Sequence, residues 1–185
     1  IKNEDSSGEL ALEKRKILGC KGRFTLPHLK TPQEKNYVPF PFFLAYAAAL
    51  LKKEGLRVKL IDCLAEEIPA PLFLKMVLEE NPDLLVAETS TPSLYNDLEI
   101  LKKLPRVIPV TLCGPEPNIA TLGFLNQNKF IDYVLVGEYE YTLLELAHKL
   151  EKGKGLDATL GLIYRVNEDV KINPPRPLIE DLDIL

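Results

Sequence analysis

Between residues 17 and 150, short apolar runs alternate five times with longer, helix-patterned ones, and this rhythm constrains the fold more than any other feature of the chain. The apolar runs fall at 17–20, 57–62, 83–87, 107–113 and 131–136, and the helical segments at 40–54, 71–80, 94–104, 118–128 and 141–150. Strands alternating with helices in this way predict an α/β domain, a parallel sheet covered on both faces. Local signals support the boundaries. Gly55 follows the 40–54 segment as a helix stop. Pro109 interrupts the fourth apolar run, so its strand begins at or just after that residue. Leu94, Leu98, Leu101 and Leu104 repeat at helical spacing. The 40–54 segment is apolar on nearly every side, the pattern of a helix buried between layers. After Gly155 the rhythm breaks. Runs at 160–166 and 169–172, joined at Asn167-Glu168, predict a β-hairpin, and the proline-rich 173–185 an extended tail. The organisation expected is a polar leader at 1–16, an α/β domain at 17–155, and a hairpin with an outgoing arm at 156–185.

Composition removes several function classes. The chain has 185 residues, 46% of them apolar, enough for one domain with its own core and no need of a covalent staple. Twenty-seven acidic against 23 basic residues give a net charge of −4, which argues against a nucleic-acid footprint. The three cysteines form no disulfide framework and point to a reducing, cytoplasmic setting. No apolar run reaches the roughly 18 residues of a membrane helix, and no secretory signal is visible. Because the chain starts at Ile1 and its only methionine is Met76, it reads as a piece of a longer product.

Ligands of open parallel sheets bind at the carboxyl ends of the strands, so those ends hold the candidate site residues. They are Gly19, Cys20, Lys21 and Gly22 after the first strand, and Asp62 and Cys63 after the second. A hydroxyl cluster, Thr89, Ser90, Thr91 and Ser93, follows the third. It suits a polar ligand, and equally a helix N-cap by Thr91 or Ser93. Gly114 after the fourth strand and Gly137 after the fifth permit close backbone approach to a ligand or form ordinary tight turns. Glu138 and Glu140 open the last helix, where its positive end favours acids. Asp62 could take a ribose hydroxyl, but no G-x-G-x-x-G follows the first strand to support that. Cys20, Cys63 and Cys113 lack zinc or iron–sulfur spacing. Lone His28 and His148 make no metal site. The chain holds no self-contained catalytic constellation.

Taken in order, the segments PFPFFLAYAAALLKKEGLRVKLID, NPDLLVAETSTPS, VTLCGPEPN, IDYVLVGEYEYTLLEL and GLIYRVNEDVKINPPRPLIEDLDIL carry a resemblance. The chain resembles the cobalamin-binding domain that precedes the radical S-adenosylmethionine barrel in cobalamin-dependent methyltransferases and anaerobic magnesium-protoporphyrin ester cyclases. The resemblance implies a flavodoxin-like, doubly wound, five-stranded parallel sheet with cobalamin lying across the strand ends. It implies a D-x-H-x-x-G motif absent from such members, as it is here, and hence cobalt bound without a protein histidine. The site residues it carries over are Thr89, Ser90, Thr91, Gly114, Gly137 and Glu138. The 4Fe-4S cluster and S-adenosylmethionine would belong to a C-terminal barrel outside this piece, the partner toward which the final segment leads. The family tends to place glycine where this chain has Phe43, Cys113 and Tyr139, and its first-strand loop is replaced by ILGCKGRF. A large side chain there stacks on the ligand or fills its place. The alternatives are therefore a degenerate domain that has lost cobalamin and acts as a scaffold, and a flavodoxin-like binder of nucleotide or flavin.

Overall fold

The structure, a computed structural model, describes residues 40–116 and 119–181, and the backbone of 16–21. Most of the polar leader, the loop bearing His28, and Pro117-Asn118 lie outside the described residues. Twelve elements follow in chain order: β1 Lys16–Lys21, α1 Phe42–Lys53, β2 Arg57–Ile61, α2 Ala70–Glu80, β3 Leu84–Glu88, α3 Leu94–Leu101, β4 Val110–Cys113, α4 Leu122–Gln127, β5 Tyr133–Leu135, α5 Glu140–Glu151, β6 Leu162–Val166 and β7 Asp169–Ile172.

Local chemistry sets the element ends. Helix α2 begins with Pro71 in its first turn, where a missing N–H costs nothing, and ends on Asn81 in the left-handed region at φ 44°, just before Pro82. Thr121 caps α4 by accepting a 3.1 Å hydrogen bond from the Phe124 amide. β4 starts directly after Pro109, whose carbonyl accepts from the Leu85 amide of β3 at 3.0 Å. Asn167, at φ 56°, turns the hairpin.

The strands form one sheet in the order β2-β1-β3-β4-β5-β6-β7. The first five are parallel and give the 2-1-3-4-5 order of a flavodoxin-like doubly wound sheet. The hairpin is not a separate appendage. β6 pairs antiparallel with β5 and β7 with β6, so the sheet widens to seven strands. Side chains alternate between two cores. Leu85 and Ala87 of β3 join Phe73 and Val77 of α2, Ile100 of α3 and Leu125 of α4 on one face. Leu84 and Val86 join Leu44, Ala47 and Leu51 of α1 and Leu143 and Leu146 of α5 on the other. A fully buried side chain such as Phe73 contributes about 1.5–3 kcal/mol from removal of its surface from water. No helix among the described residues is long and apolar enough to cross a membrane.

Two expectations change. Helix α1 is not buried on all sides, since Phe42, Phe43 and Tyr46 are about half exposed while Leu44, Ala47 and Leu51 carry the packing. The expected 94–104 and 118–128 helices shorten to α3 and α4. Leu104 still reaches the core, but from a turn.

Candidate functional site at the carboxyl edge

Five parallel strands ending together bring the loops 62–69, 89–93, 114–116 and 136–139 to one edge of the sheet, joined there by the start of α1. The hydroxyl cluster after β3 is largely turned inward. Thr89 is buried, donates its hydroxyl to Asp97 Oδ2 at 2.8 Å and its amide to the Cys113 carbonyl at 2.9 Å. Ser90 and Ser93 hold each other: the Ser90 amide donates to Ser93 Oγ at 3.2 Å, and the two hydroxyls lie 3.1 Å apart. Ser93 stands at the N-cap of α3, yet its hydroxyl makes no capping bond because it is committed to Ser90. Of the cluster, Thr91 alone is exposed.

The two glycines separate by what surrounds them. At Gly114, φ is +111° and a Cβ would sit 2.3 Å from the Thr89 carbonyl oxygen, so the absence of a side chain lets the β4 loop cross the β3 loop. Its close approach is to the protein itself. At Gly137, φ is +76° and, among the described residues, nothing lies within 4 Å of where a Cβ would be. That residue is exposed and faces open space at the edge. Glu138 beside it is half-buried, and its Oε2 accepts a 2.6 Å hydrogen bond from the Ile179 amide.

Beneath the edge lies a buried polar group. Tyr139 is 3% exposed and packs with Cys113 and Leu143, pointing into the core and away from the edge surface. Its phenol oxygen is close enough to the Cys113 sulfur for each to perturb the other, without a partner of full hydrogen-bond geometry. Burial pushes the Cys113 thiol well above its ordinary range, Glu88 adds to the shift, and Tyr139 opposes it. Burial likewise drives the Tyr139 phenol up, with Cys113 and Glu88 reinforcing. Glu140, in the first turn of α5, has its carboxyl raised by burial, opposed by a backbone hydrogen bond and raised further by the Glu138 charge. Among the described residues its Oε2 has no hydrogen-bond partner.

The remaining sequence candidates have local surroundings of their own. Asp62 accepts from the Leu64 and Ala65 amides at 3.1 and 3.2 Å and shapes its own turn. Cys63 is buried, its thiol pushed up to about 12 by burial first and then by Asp62 and Glu66. His148 lies in the last turn of α5, away from the edge. Among the described residues no group of three or more His, Cys, Asp or Glu side chains could hold a metal ion. Sequence reasoning missed Asp97, which fixes Thr89, although a charged residue inside an apolar helical pattern signals a buried partner. It also missed the aromatic rim. Phe40, Phe42, Phe43 and Tyr46 are all exposed where α1 begins, with the Phe40 and Phe42 rings edge-on at 5.1 Å.

The model of the B12 binding domain family matches residues 36–147. An uncharacterized methyltransferase of Pyrococcus horikoshii is 34% identical over 146 residues, covering 77% of this chain and 32% of that protein. The anaerobic magnesium-protoporphyrin IX monomethyl ester cyclase of Rubrivivax gelatinosus is 26% identical over 151 residues, 77% of this chain and 27% of that one. The radical S-adenosylmethionine methyltransferase TsrM of Kitasatospora setae, solved with cobalamin and a [4Fe-4S] cluster bound, superposes with a TM-score of 0.69 at 21% identity, over 92% of this chain and 30% of that one. The cobalamin-dependent S-adenosylmethionine radical enzyme OxsB, with aqua-cobalamin and S-adenosylmethionine bound, gives 0.69 at 18%, over 90% and 23%. The chain thus spans about a third or less of each relative.

Proposed function

The chain belongs to the B12 binding domain family, and we propose on that premise that it is the cobalamin-binding module of a radical S-adenosylmethionine enzyme. Family membership and the cobalamin-bound structural neighbours support cobalamin as its cofactor. A corrinoid is a broad, amide-rimmed macrocycle that brings its own ring nitrogens to the cobalt. Its host needs an open surface with neutral donors, and no cage of carboxylates and imidazoles. The carboxyl edge fits that requirement. Gly137 leaves space for a flat ligand to approach backbone, Thr91 is an exposed hydroxyl residue, and the described residues present no metal-ligating cluster. Of the bulky replacements of family glycines, Tyr139 is turned inward, whereas Phe43 stays exposed on the aromatic rim, where it could stack on a flat ligand.

The observation that carries the proposal is the exposed, positive-φ Gly137 facing empty space at the end of β5, within the stretch matched by the family. Thr91 and Gly137 would face the cofactor directly. Thr89, Ser90 and Gly114 would shape the loops behind it, and Glu138 would brace the turn. When bound, cobalamin supplies organometallic chemistry, carrying a methyl group or steering a radical reaction, while the protein supplies position and electrostatics. The iron–sulfur cluster, S-adenosylmethionine and substrate would engage a barrel outside these residues, consistent with relatives of which this chain spans 32% and 27%. We place the α/β domain at 17–155, and at 156–185 a β-hairpin that continues its sheet followed by an arm toward the barrel. A reducing cytoplasmic setting suits the buried free thiols of Cys63 and Cys113.

The test is an absorbance spectrum of the chain after incubation with hydroxocobalamin and desalting. Stoichiometric retention of the corrinoid bands is expected. Elution of all the corrinoid in the salt fraction would overturn the cofactor assignment and favour a scaffold role.

A further inference from the structure

We infer that residues 173–179 form a strap that holds the Gly137-Glu138 turn in shape, and that Arg176 is its pin, a positioning residue for a surface it does not touch. The inference rests on reading the carboxyl edge as the cofactor surface. The strap starts where β7 ends. The Asn173 amide donates to the Leu162 carbonyl at 3.0 Å, and its side-chain amide donates to the Leu156 and Thr159 carbonyls, both at 2.8 Å. The Pro174 carbonyl accepts from the Gly161 amide at 2.7 Å. Arg176 then meets α5: its Nε donates to Thr142 Oγ1 at 2.8 Å, and its guanidinium pairs with Glu145. Glu145 also takes Lys149, which fixes the carboxylate from a second side.

Gly161 confirms how closely the strap is seated. A Cβ there would lie 3.0 Å from Thr142 Oγ1 and 3.4 Å from Arg176 Cβ, at a φ of +74°. Three residues past Arg176 the chain has climbed α5 to the carboxyl edge, where the Ile179 amide donates to Glu138 Oε2 at 2.6 Å. On its other side the turn is tethered by the Val136 amide, which donates to the Gly161 carbonyl at 2.9 Å, and Gly161 is itself held by Pro174. Both sides of the turn therefore depend on the strap. Glu138, a ligand-facing residue by the family resemblance, acts here as the strap's anchor.

The experiment uses the full chain with Arg176→Ala, Arg176→Lys and Glu138→Ala, read by amide hydrogen exchange across 134–142 and 173–181 and by hydroxocobalamin titration. A hydrogen bond to a charged group resists opening strongly enough that Arg176→Ala should speed exchange at Ile179 and through Val136–Tyr139 by about tenfold or more. Arg176→Lys should restore only part of this, because an ammonium cannot reproduce the two-point guanidinium contact. Glu138→Ala should release Ile179 while leaving Asn173 protected. Corrinoid affinity should fall several-fold in both alanine variants. Unchanged exchange at Val136–Tyr139 in Arg176→Ala would overturn the strap, as would faster exchange with wild-type corrinoid affinity. If the wild-type chain retains no corrinoid, the cofactor reading fails, and the exchange data decide the strap alone.

Discussion

Gly114→Ala should be among the costliest single-methyl additions this fold can suffer, and its cost can be worked from the crossing of two loops. The new Cβ would sit 2.3 Å from the Thr89 carbonyl oxygen, far inside van der Waals contact. Retreat is blocked on the other side. The Thr89 amide is tied to the Cys113 carbonyl at 2.9 Å and its hydroxyl to Asp97 at 2.8 Å, so moving Thr89 breaks a sheet bond or a buried polar pair. Overpacking of this kind costs about 1–3 kcal/mol. The φ of +111°, disfavoured for any residue with a Cβ, adds about 1–3 kcal/mol more. The sum, about 2–6 kcal/mol, corresponds to a melting temperature lower by roughly 5–20 °C for a domain of this size. Urea denaturation followed by circular dichroism measures it, with Gly137→Ala as the companion variant. At Gly137 only the φ penalty of about 1–2 kcal/mol applies, because nothing described stands in the way of the methyl group. Equal losses in the two variants, or a Gly114→Ala loss under about 1 kcal/mol, would refute the separation of a packing glycine from a surface one.

Further outcomes follow from the buried groups. Cys63 and Cys113 should stay unlabelled by a thiol reagent at pH 8 in the native chain and react once it is unfolded, because burial holds both thiols far above that pH. Glu140 has its carboxyl raised by burial, so its contribution to stability is complete below about 4.5 and is lost as the pH climbs through the raised value. Glu140→Gln should therefore match or exceed wild type in urea at pH 7, with the difference closing toward pH 4. Glu145 has the opposite sign: burial works to raise its carboxyl, but Lys149 and Arg176 outweigh it and hold it low. Glu145→Gln should be destabilising at neutral pH and increasingly neutral as the pH falls through the carboxylate range. Tyr139→Phe removes a buried hydroxyl that lacks a full partner, so its midpoint should stay within about 1 kcal/mol of wild type.

The alternation of apolar and amphipathic runs made the ten elements of the α/β unit legible, because a strand buried on both faces leaves a continuous apolar signature. The order of the strands is set by tertiary packing, which no local pattern encodes. For the same reason the hairpin could be read as a hairpin but not as the continuation of the sheet along β5. The half-exposed face of α1 was hidden because Phe42, Phe43 and Tyr46 carry the same residue chemistry as a core, and only the partner surface distinguishes rim from interior. At the site, the positions of the candidates were readable as strand ends, whereas their roles were not. Gly114 and Gly137 look alike in sequence and differ only in what lies above the Cα. Arg176 and Ile179 stood in a proline-rich tail with no periodicity, and their link to α5 and Glu138 spans 31 and 41 positions.

The hairpin that continues the sheet also bears on how sociable the molecule is. A sheet finishing at the three-residue β5 would offer a bare row of amides and carbonyls to any passing strand. With β6 and β7 added, the last strand instead carries Asp169 and Lys171, the latter held to Asp157 at 2.6 Å. The opposite border, β2, carries Arg57 and Lys59. Both margins of the sheet are thus short and charged, which discourages strand-by-strand recruitment of further copies. The apolar aromatic rim of Phe40, Phe42, Phe43 and Tyr46 is guarded by neither device, and the sheet's own margins are not where this chain leaves apolar surface bare.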